Sequence, residues 1–285
     1  MIELALLFAL SGAPQQAKEA PVPPACVGAT FAGWEACADA AEEDSPAYRV
    51  AMINLGTEAY LRSDYSAALR FYDKADAPGE EVVSDVLFHT FRADTYRHAG
   101  RVADAAEDAR TAWLYIDGRP PAGTDPRDLR PVDDDLRFIV LSLILPILKD
   151  EGETDFRAAR EVYLALPVDD WQGLTTRANA LSLIGEHSAA VADSKKAVEL
   201  QPGDPMLMNN HCYTLVEAGQ AAQGLPWCER AVAALPESSH VRHSYAAALA
   251  GVGRCADSER QLAEARRIDP SSALYREPIA CRAKG

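Results

Sequence analysis

Residues 171–204 read WQGLTTRANALSLIGEHSAAVADSKKAVELQPGD, residues 205–238 read PMLMNNHCYTLVEAGQAAQGLPWCERAVAALPES, and residues 239–272 read SHVRHSYAAALAGVGRCADSERQLAEARRIDPSS. Laid beneath one another, the three stretches fall into register at a spacing of 34 residues. Ala178, Cys212 and Ala246 share a column, as do Leu181, Leu215 and Leu249. Gly185, Gly219 and Gly253 form the next, followed by Ala190, Gly224 and Ser258, and then by Ala197, Ala231 and Ala265. Pro202, Pro236 and Pro270 close the units. A repeat of this period marks stacked supersecondary units, none of which can bury its apolar face alone.

Each column has a physical reading. Two helices of a hairpin approach most closely at one point, where only small side chains fit. The columns headed by Ala178 and Ala190 supply that pair. The glycine column ends the first helix, where the backbone must turn left-handed. The Ala197 column lets the following hairpin pack closely. The proline column ends the second helix, because the residue before a proline avoids the α region.

This pattern resembles the tetratricopeptide repeat family, whose unit is a helix–turn–helix with small residues at its eighth, twentieth and twenty-seventh positions and proline at the thirty-second. The resemblance implies an all-α fold, a right-handed superhelical solenoid of about six antiparallel helix pairs with a capping helix at its C-terminal end. Upstream units fit less closely. Gly56, Ala68 and Ala75 keep the spacings of one unit, and Ala93, Tyr96, Gly100, Ala105 and Ala112 those of another. The expected organisation is a signal-like segment and Pro-rich linker (1–24), a Cys-containing flank (25–44), two units (45–116), an insertion loop (117–131), a degenerate helix pair interrupted by Pro146 (132–167), three regular units (168–270), and a capping helix with tail (271–285).

Composition agrees with an all-α class. Hydrophobic residues make up 48% and aromatics only 7%. Alanine, the best helix former, does much of the filling. Runs rich in Val, Ile and Thr with two-residue alternation are missing, so strands have little support. The formal net charge of -15 repels polyanions, which argues against nucleic acid or an anionic membrane surface as partner. No segment has the roughly 20 apolar residues of a membrane span. Phe138 to Leu148 is apolar but too short, and reads as a buried helix.

The N-terminus resembles a secretory signal followed by a linker: Leu4 to Leu10 is apolar, and a polar, proline-rich stretch runs on to Pro24. It departs from the pattern in carrying Glu3 and no basic residue ahead of the apolar run. An ordinary cytosolic N-terminus is the competing reading. The six cysteines form sequence neighbours, with none between Cys37 and Cys212. In an exported chain this favours three local disulfides. Six cysteines allow 15 connectivities; the resemblance implies that neighbour pairing would put Cys26–Cys37 before the first unit, Cys212–Cys228 as a staple within one hairpin, and Cys255–Cys281 between cap and array. The alternative is that they are small buried hydrophobes with free thiols. The periplasm or another exported compartment is therefore expected, with the cytoplasm as alternative.

Nothing in the sequence assembles a reaction. There is no H-E-x-x-H, no G-x-S-x-G and no phosphate-binding Gly-rich loop. His240 and His243 lie one helical turn apart, a spacing that metal sites use, but no third ligand is evident. Asp133, Asp134 and Asp135 read as negative charge favouring a helix N-terminus. No enzyme activity, cofactor or metal is expected. Trp34, Trp113, Trp171 and Trp227 are expected to pack.

A stack of such hairpins has a concave groove lined by the first helix of each unit. By resemblance, the second, fifth, ninth, twelfth and thirteenth positions face it. The partner groove is then expected at Arg97, Asn179, Met206, Asn209, Tyr213, His240 and His243, with a protein or peptide as partner. Family members that grip the C-terminal carboxylate of heat-shock chaperones use Lys or Arg beside Asn. Here Thr175, His243 and Ala247 stand at those places, so that ligand mode is not expected.

Overall fold

The protein's structure, a computed structural model, describes residues 23–27, 33–43, 45–76, 86–122, 124, 131–151 and 153–281. Among them every regular element is a helix. The signal-like segment, Leu4 to Leu10, and residues 123 and 125–130 of the insertion loop lie outside the described residues. The chain divides into two units, Met1–Leu166 and Pro167–Gly285.

In the first unit a 3-10 turn at Pro24–Cys26 precedes α1 (Trp34–Ala40). The hairpins follow as α2 (Pro46–Leu61) with α3 (Tyr65–Ala75), α4 (Val86–His98) with α5 (Val102–Ile116), and α6 (Asp134–Glu151) with α7 (Glu153–Ala165). Polar residues ahead of the helices set their starts. The Ser45 hydroxyl accepts the Tyr48 N–H at 3.2 Å, with Pro46 at the first helical position. Asp64 caps α3 through Ala67 N–H at 2.9 Å, and Asp133 takes the Leu136 N–H at 2.8 Å. Each cap satisfies an N–H that the helix itself leaves unpaired. Gly56 shows why its column must be small: an added Cβ would stand 2.5 Å from the ring of the fully buried Tyr72. Helix α6 runs through Pro146 without ending, and its Leu141, Ile144, Leu145 and Leu148 are buried.

The second unit holds the three regular hairpins: α8 (Trp171–Leu183) with α9 (His187–Leu200), α10 (Pro205–Glu217) with α11 (Ala221–Ala234), and α12 (Ser239–Gly251) with α13 (Cys255–Ile268). Asp170, Asp204 and Ser238, one repeat apart, cap the three first helices. Gly185, Gly219 and Gly253 take φ of 85°, 74° and 76°. The next N–H in each turn reaches back to Leu181, Leu215 or Leu249 at 2.8 to 2.9 Å, closing the helix C-terminus as the glycine column requires. The contact between the two small-residue columns is direct. Ser258 donates its hydroxyl to the Ala246 carbonyl at 2.8 Å, and a Cβ on Gly224 would come within 2.9 Å of the Cys212 carbonyl.

The C-terminal cap differs from expectation. No α-helix follows α13 among the described residues; the tail makes a single 3-10 turn, Ala273–Tyr275. Pro278 holds Glu277 out of the α region, so too few residues remain for a helix. One aromatic ring covers the exposed end instead. Tyr275 is fully buried against Ala246, Leu262 and Ala265, and its hydroxyl meets Ser239 Oγ at 3.2 Å and His240 Nδ1 at 2.9 Å.

Candidate functional site

The first helices α8, α10 and α12 of the second unit pack in sequence. Their outward residues line a concavity of about 390 Å³. Asn179, Met206, Asn209, Tyr213, His240 and His243 all line it. Arg97 lies in the first unit, where its Nε and Nη2 donate to Asp94 Oδ1 at 2.8 and 2.6 Å. The Tyr60 hydroxyl donates to Asp94 Oδ2 at 2.8 Å. The buried Asp94 carboxylate is thus satisfied by its own neighbours.

The polar floor of the concavity is not satisfied in this way. Asn209 is 6% exposed. Its Nδ2 donates to Asn210 Oδ1 at 3.4 Å, while its Oδ1 has no partner among the described residues, and neither has the buried Ser182 Oγ. Tyr213 and Tyr275 flank the His243 ring with centroids at 6.3 and 5.6 Å. Burial first, and then the neighbouring His240, hold the His243 imidazole below its ordinary range, so it is neutral at pH 7. Burial, reinforced by Glu217, pushes the Tyr213 phenol up, leaving a hydroxyl donor. No Lys or Arg is among the described residues that line the concavity.

Seven lining residues were absent from the sequence-derived set: Ser182, Leu183, Asn210, Thr214, Glu217, Ser244 and Leu274. Asn210, Thr214 and Ser244 stand beside the groove positions of their helices, at sixth and tenth places. Ser182 holds a twelfth position, and Leu183 and Glu217 hold thirteenth positions. The family pattern therefore pointed to these three. Leu274 belongs to the tail, outside any repeat position, and only the folding back of that tail brings it in.

The cysteines stand as three disulfides. Cys26–Cys37, Cys212–Cys228 and Cys255–Cys281 have Cα separations of 4.6, 5.5 and 5.6 Å, within the reach of the bond. The first ties the opening 3-10 turn to α1, the second joins α10 to α11, and the third ties the tail to the start of α13. A second concavity, in the first unit, is lined by Asp73, Asp76, Asp104, Glu107 and Asp108 with Arg92 and Tyr96. Three of these carboxylates are answered internally, Arg92 pairing with Asp76 and Asp108, and Arg101 with Asp104. Trp34 and Trp113 are buried, and Trp171 and Trp227 pack against the cluster around Leu207 and Val241. Among the described residues no group of three His, Cys, Asp or Glu is placed to hold a metal, and no helix is long and apolar enough to cross a membrane.

No protein-family model matches the sequence, and no curated protein does. Solved structures do. A tetratricopeptide repeat protein from Parabacteroides merdae superposes with a TM-score of 0.58 at 13% identity, over 87% of this chain and 89% of that one. PilW, a widely conserved type IV pilus biogenesis factor, superposes with a TM-score of 0.51 at 16% identity, over 80% of this chain and 96% of that one. The chain has the tetratricopeptide-repeat fold. Identities this low speak to the fold. Within that fold, the concavity at α8, α10 and α12 lies on first helices, the elements that line the groove of such a stack.

Proposed function

We propose that this protein is a non-catalytic scaffold that holds a protein or peptide partner in the concavity formed by α8, α10 and α12, and that it works in the periplasm or another exported compartment. The observation that carries the binding reading is the convergence of six residues from three successive repeats on one concavity, where the buried Asn209 Oδ1 has no partner among the described residues. A buried acceptor left unpaired costs about 1–3 kcal/mol, which an incoming donor recovers. The site offers hydrogen bonds and apolar surface, which suit a polypeptide partner. Export is supported by the three disulfides, which persist in oxidising compartments and are rare in reducing ones.

The test is the double change Asn209→Ala with Tyr213→Ala. It is expected to weaken capture of the native partner by cross-linking while leaving thermal stability nearly unchanged. Undiminished capture would place the partner elsewhere. The compartment is tested separately, by intact mass after alkylation without reductant: no adducts are expected, and six would favour the alternative of a cytoplasmic adaptor or regulator with free thiols.

A further inference from the structure

Three of the exposed large apolar side chains of the chain gather in this one concavity: Leu183 at 58% exposed, Met206 at 41% and Leu274 at 53%. They come from α8, α10 and the tail, so folding, not local sequence, brings them together. Scattered apolar residues on a surface need no explanation, but a cluster within a concavity marks something to be covered.

The polar groups among them have a definite chemistry. Asn209 Oδ1 is an acceptor, buried and without a partner among the described residues, and Ser182 Oγ beside the same space is equally without one. The complement of Oδ1 is an N–H donor. The charge lining is equally one-sided. Glu217 is the carboxylate at the edge, no Lys or Arg is among the described residues there, and the chain as a whole carries -15. Burial keeps His243 from supplying a cation at neutral pH. A ligand carboxylate entering this site would lose hydration, meet Glu217, and find no Lys or Arg among the described lining residues to pair with, an arrangement that is unfavourable away from bulk water.

We infer that the occupant is a polypeptide segment that is neutral or basic, buries apolar side chains against Leu183, Met206 and Leu274, and donates an N–H to Asn209 Oδ1; it is not an acidic or free C-terminal segment. This rests on the proposed binding role of the same concavity and adds the chemical class of the partner. Whether the N–H comes from backbone amide or from a basic or amide side chain, the donor chemistry is the same.

The test uses the full oxidised chain and two synthetic bead libraries of random peptides, one prepared as C-terminal amides and one as free acids. Enrichment is expected from the amide library, with Leu, Ile, Met or Phe beside Lys or Arg and with Asp and Glu depleted. The recovered peptides are expected to bind about tenfold more weakly to Asn209→Leu, the loss of one well-placed hydrogen bond. Leu183→Asp, an exposed change that leaves the fold intact, should weaken them similarly for uncharged peptides. Asn209→Leu removes a buried unpaired acceptor, so its melting temperature should hold or rise, which separates lost binding from lost folding. Enrichment of acidic or free-acid peptides that are lost on Asn209→Leu would overturn the assigned chemistry while leaving the site standing. No enrichment, or peptides indifferent to Asn209→Leu, Leu183→Asp and Tyr213→Ala alike, would overturn the binding site itself.

Discussion

Arg92 of α4 grips Asp108 of α5 with two hydrogen bonds, Nε to Oδ2 at 2.6 Å and Nη2 to Oδ1 at 2.9 Å. Arg177 and Asp193 repeat the arrangement across α8 and α9 at 2.7 and 3.0 Å, with the same sixteen-residue separation. The hairpins are therefore joined by a bidentate fork as well as by small-residue contact. At Asp108 burial opposes the charge, but hydrogen bonds from His89 and Arg92 outweigh it and hold the carboxyl below the usual carboxylate range. Asp108→Asn leaves Arg92 with a poor partner in a buried place, and is expected to cost about 3 kcal/mol. Denaturant unfolding read by hydrogen exchange in α4 and α5 checks it. Asp193→Asn, whose pair is somewhat more exposed, should cost less.

Ser63 occupies in the first hairpin the place that glycine holds in the regular ones. Its φ is 61°, and the Asp64 N–H reaches back to the Ala59 carbonyl at 2.9 Å as in the glycine turns. Left-handed backbone is costly for a residue with a Cβ. Ser63→Gly is expected to stabilise the first unit by about 1 kcal/mol, seen as a higher melting temperature.

Gly224 and Gly203 make a contrasting pair. A Cβ at Gly224 would press on the Cys212 backbone carbonyl at 2.9 Å and on Leu215 Cβ at 3.3 Å, whereas one at Gly203 would meet open space. Overpacking against backbone costs about 1–3 kcal/mol, more than the helix propensity alanine adds, about 1 kcal/mol. Gly224→Ala should therefore lower stability and Gly203→Ala should not, in parallel thermal melts.

Acid should weaken the second unit before carboxylates protonate. Burial first, then the Lys195 charge, lowers the pKa of His211 against the attraction of Glu199; burial and then His240 lower that of His243. In the unfolded chain these rings protonate near about 6.5. Between that value and the lower folded values the unfolded state binds more protons, so stability falls as pH falls through this window. His211→Gln, which keeps a partner for Ser194 Oγ, should flatten part of that slope in melts between pH 7 and 5.

The three disulfides should differ in access. Cys26, Cys37, Cys212 and Cys228 are buried, while Cys255 and Cys281 are half-buried. Limited reduction of the folded protein with a dithiol, followed by alkylation and peptide mapping, is expected to label Cys255 and Cys281 first. Losing the Cys212–Cys228 bond by a double Ala change should cost about 3 kcal/mol, the usual worth of a loop of that size.

The hairpins were legible because each column of the repeat encodes one local requirement, visible at Gly185, Gly219 and Gly253 without any tertiary information. The tail was not. The resemblance to a stacked array predicts a helix after Pro270 because the terminal unit needs a cap, but a cap can be met by any apolar body of the right size, and Tyr275 meets it from a single turn. The groove was legible at Asn179, Asn209 and Tyr213, which sit at repeat positions. Leu274 was hidden, because it reaches the concavity through chain reversal and not through register. Nor can a sequence show that Asn209 Oδ1 lacks a partner, since that depends on every side chain around it.

The central claim is that the partner lies against α8, α10 and α12. Site-specific photo-crosslinking tests it most directly, with a benzoylphenylalanine in place of Tyr213 in one sample and of the exposed Lys195 on α9 in another, irradiated in the native compartment. A partner adduct from position 213 and none from position 195 is the predicted result. An adduct from position 195 with none from 213 would contradict the account.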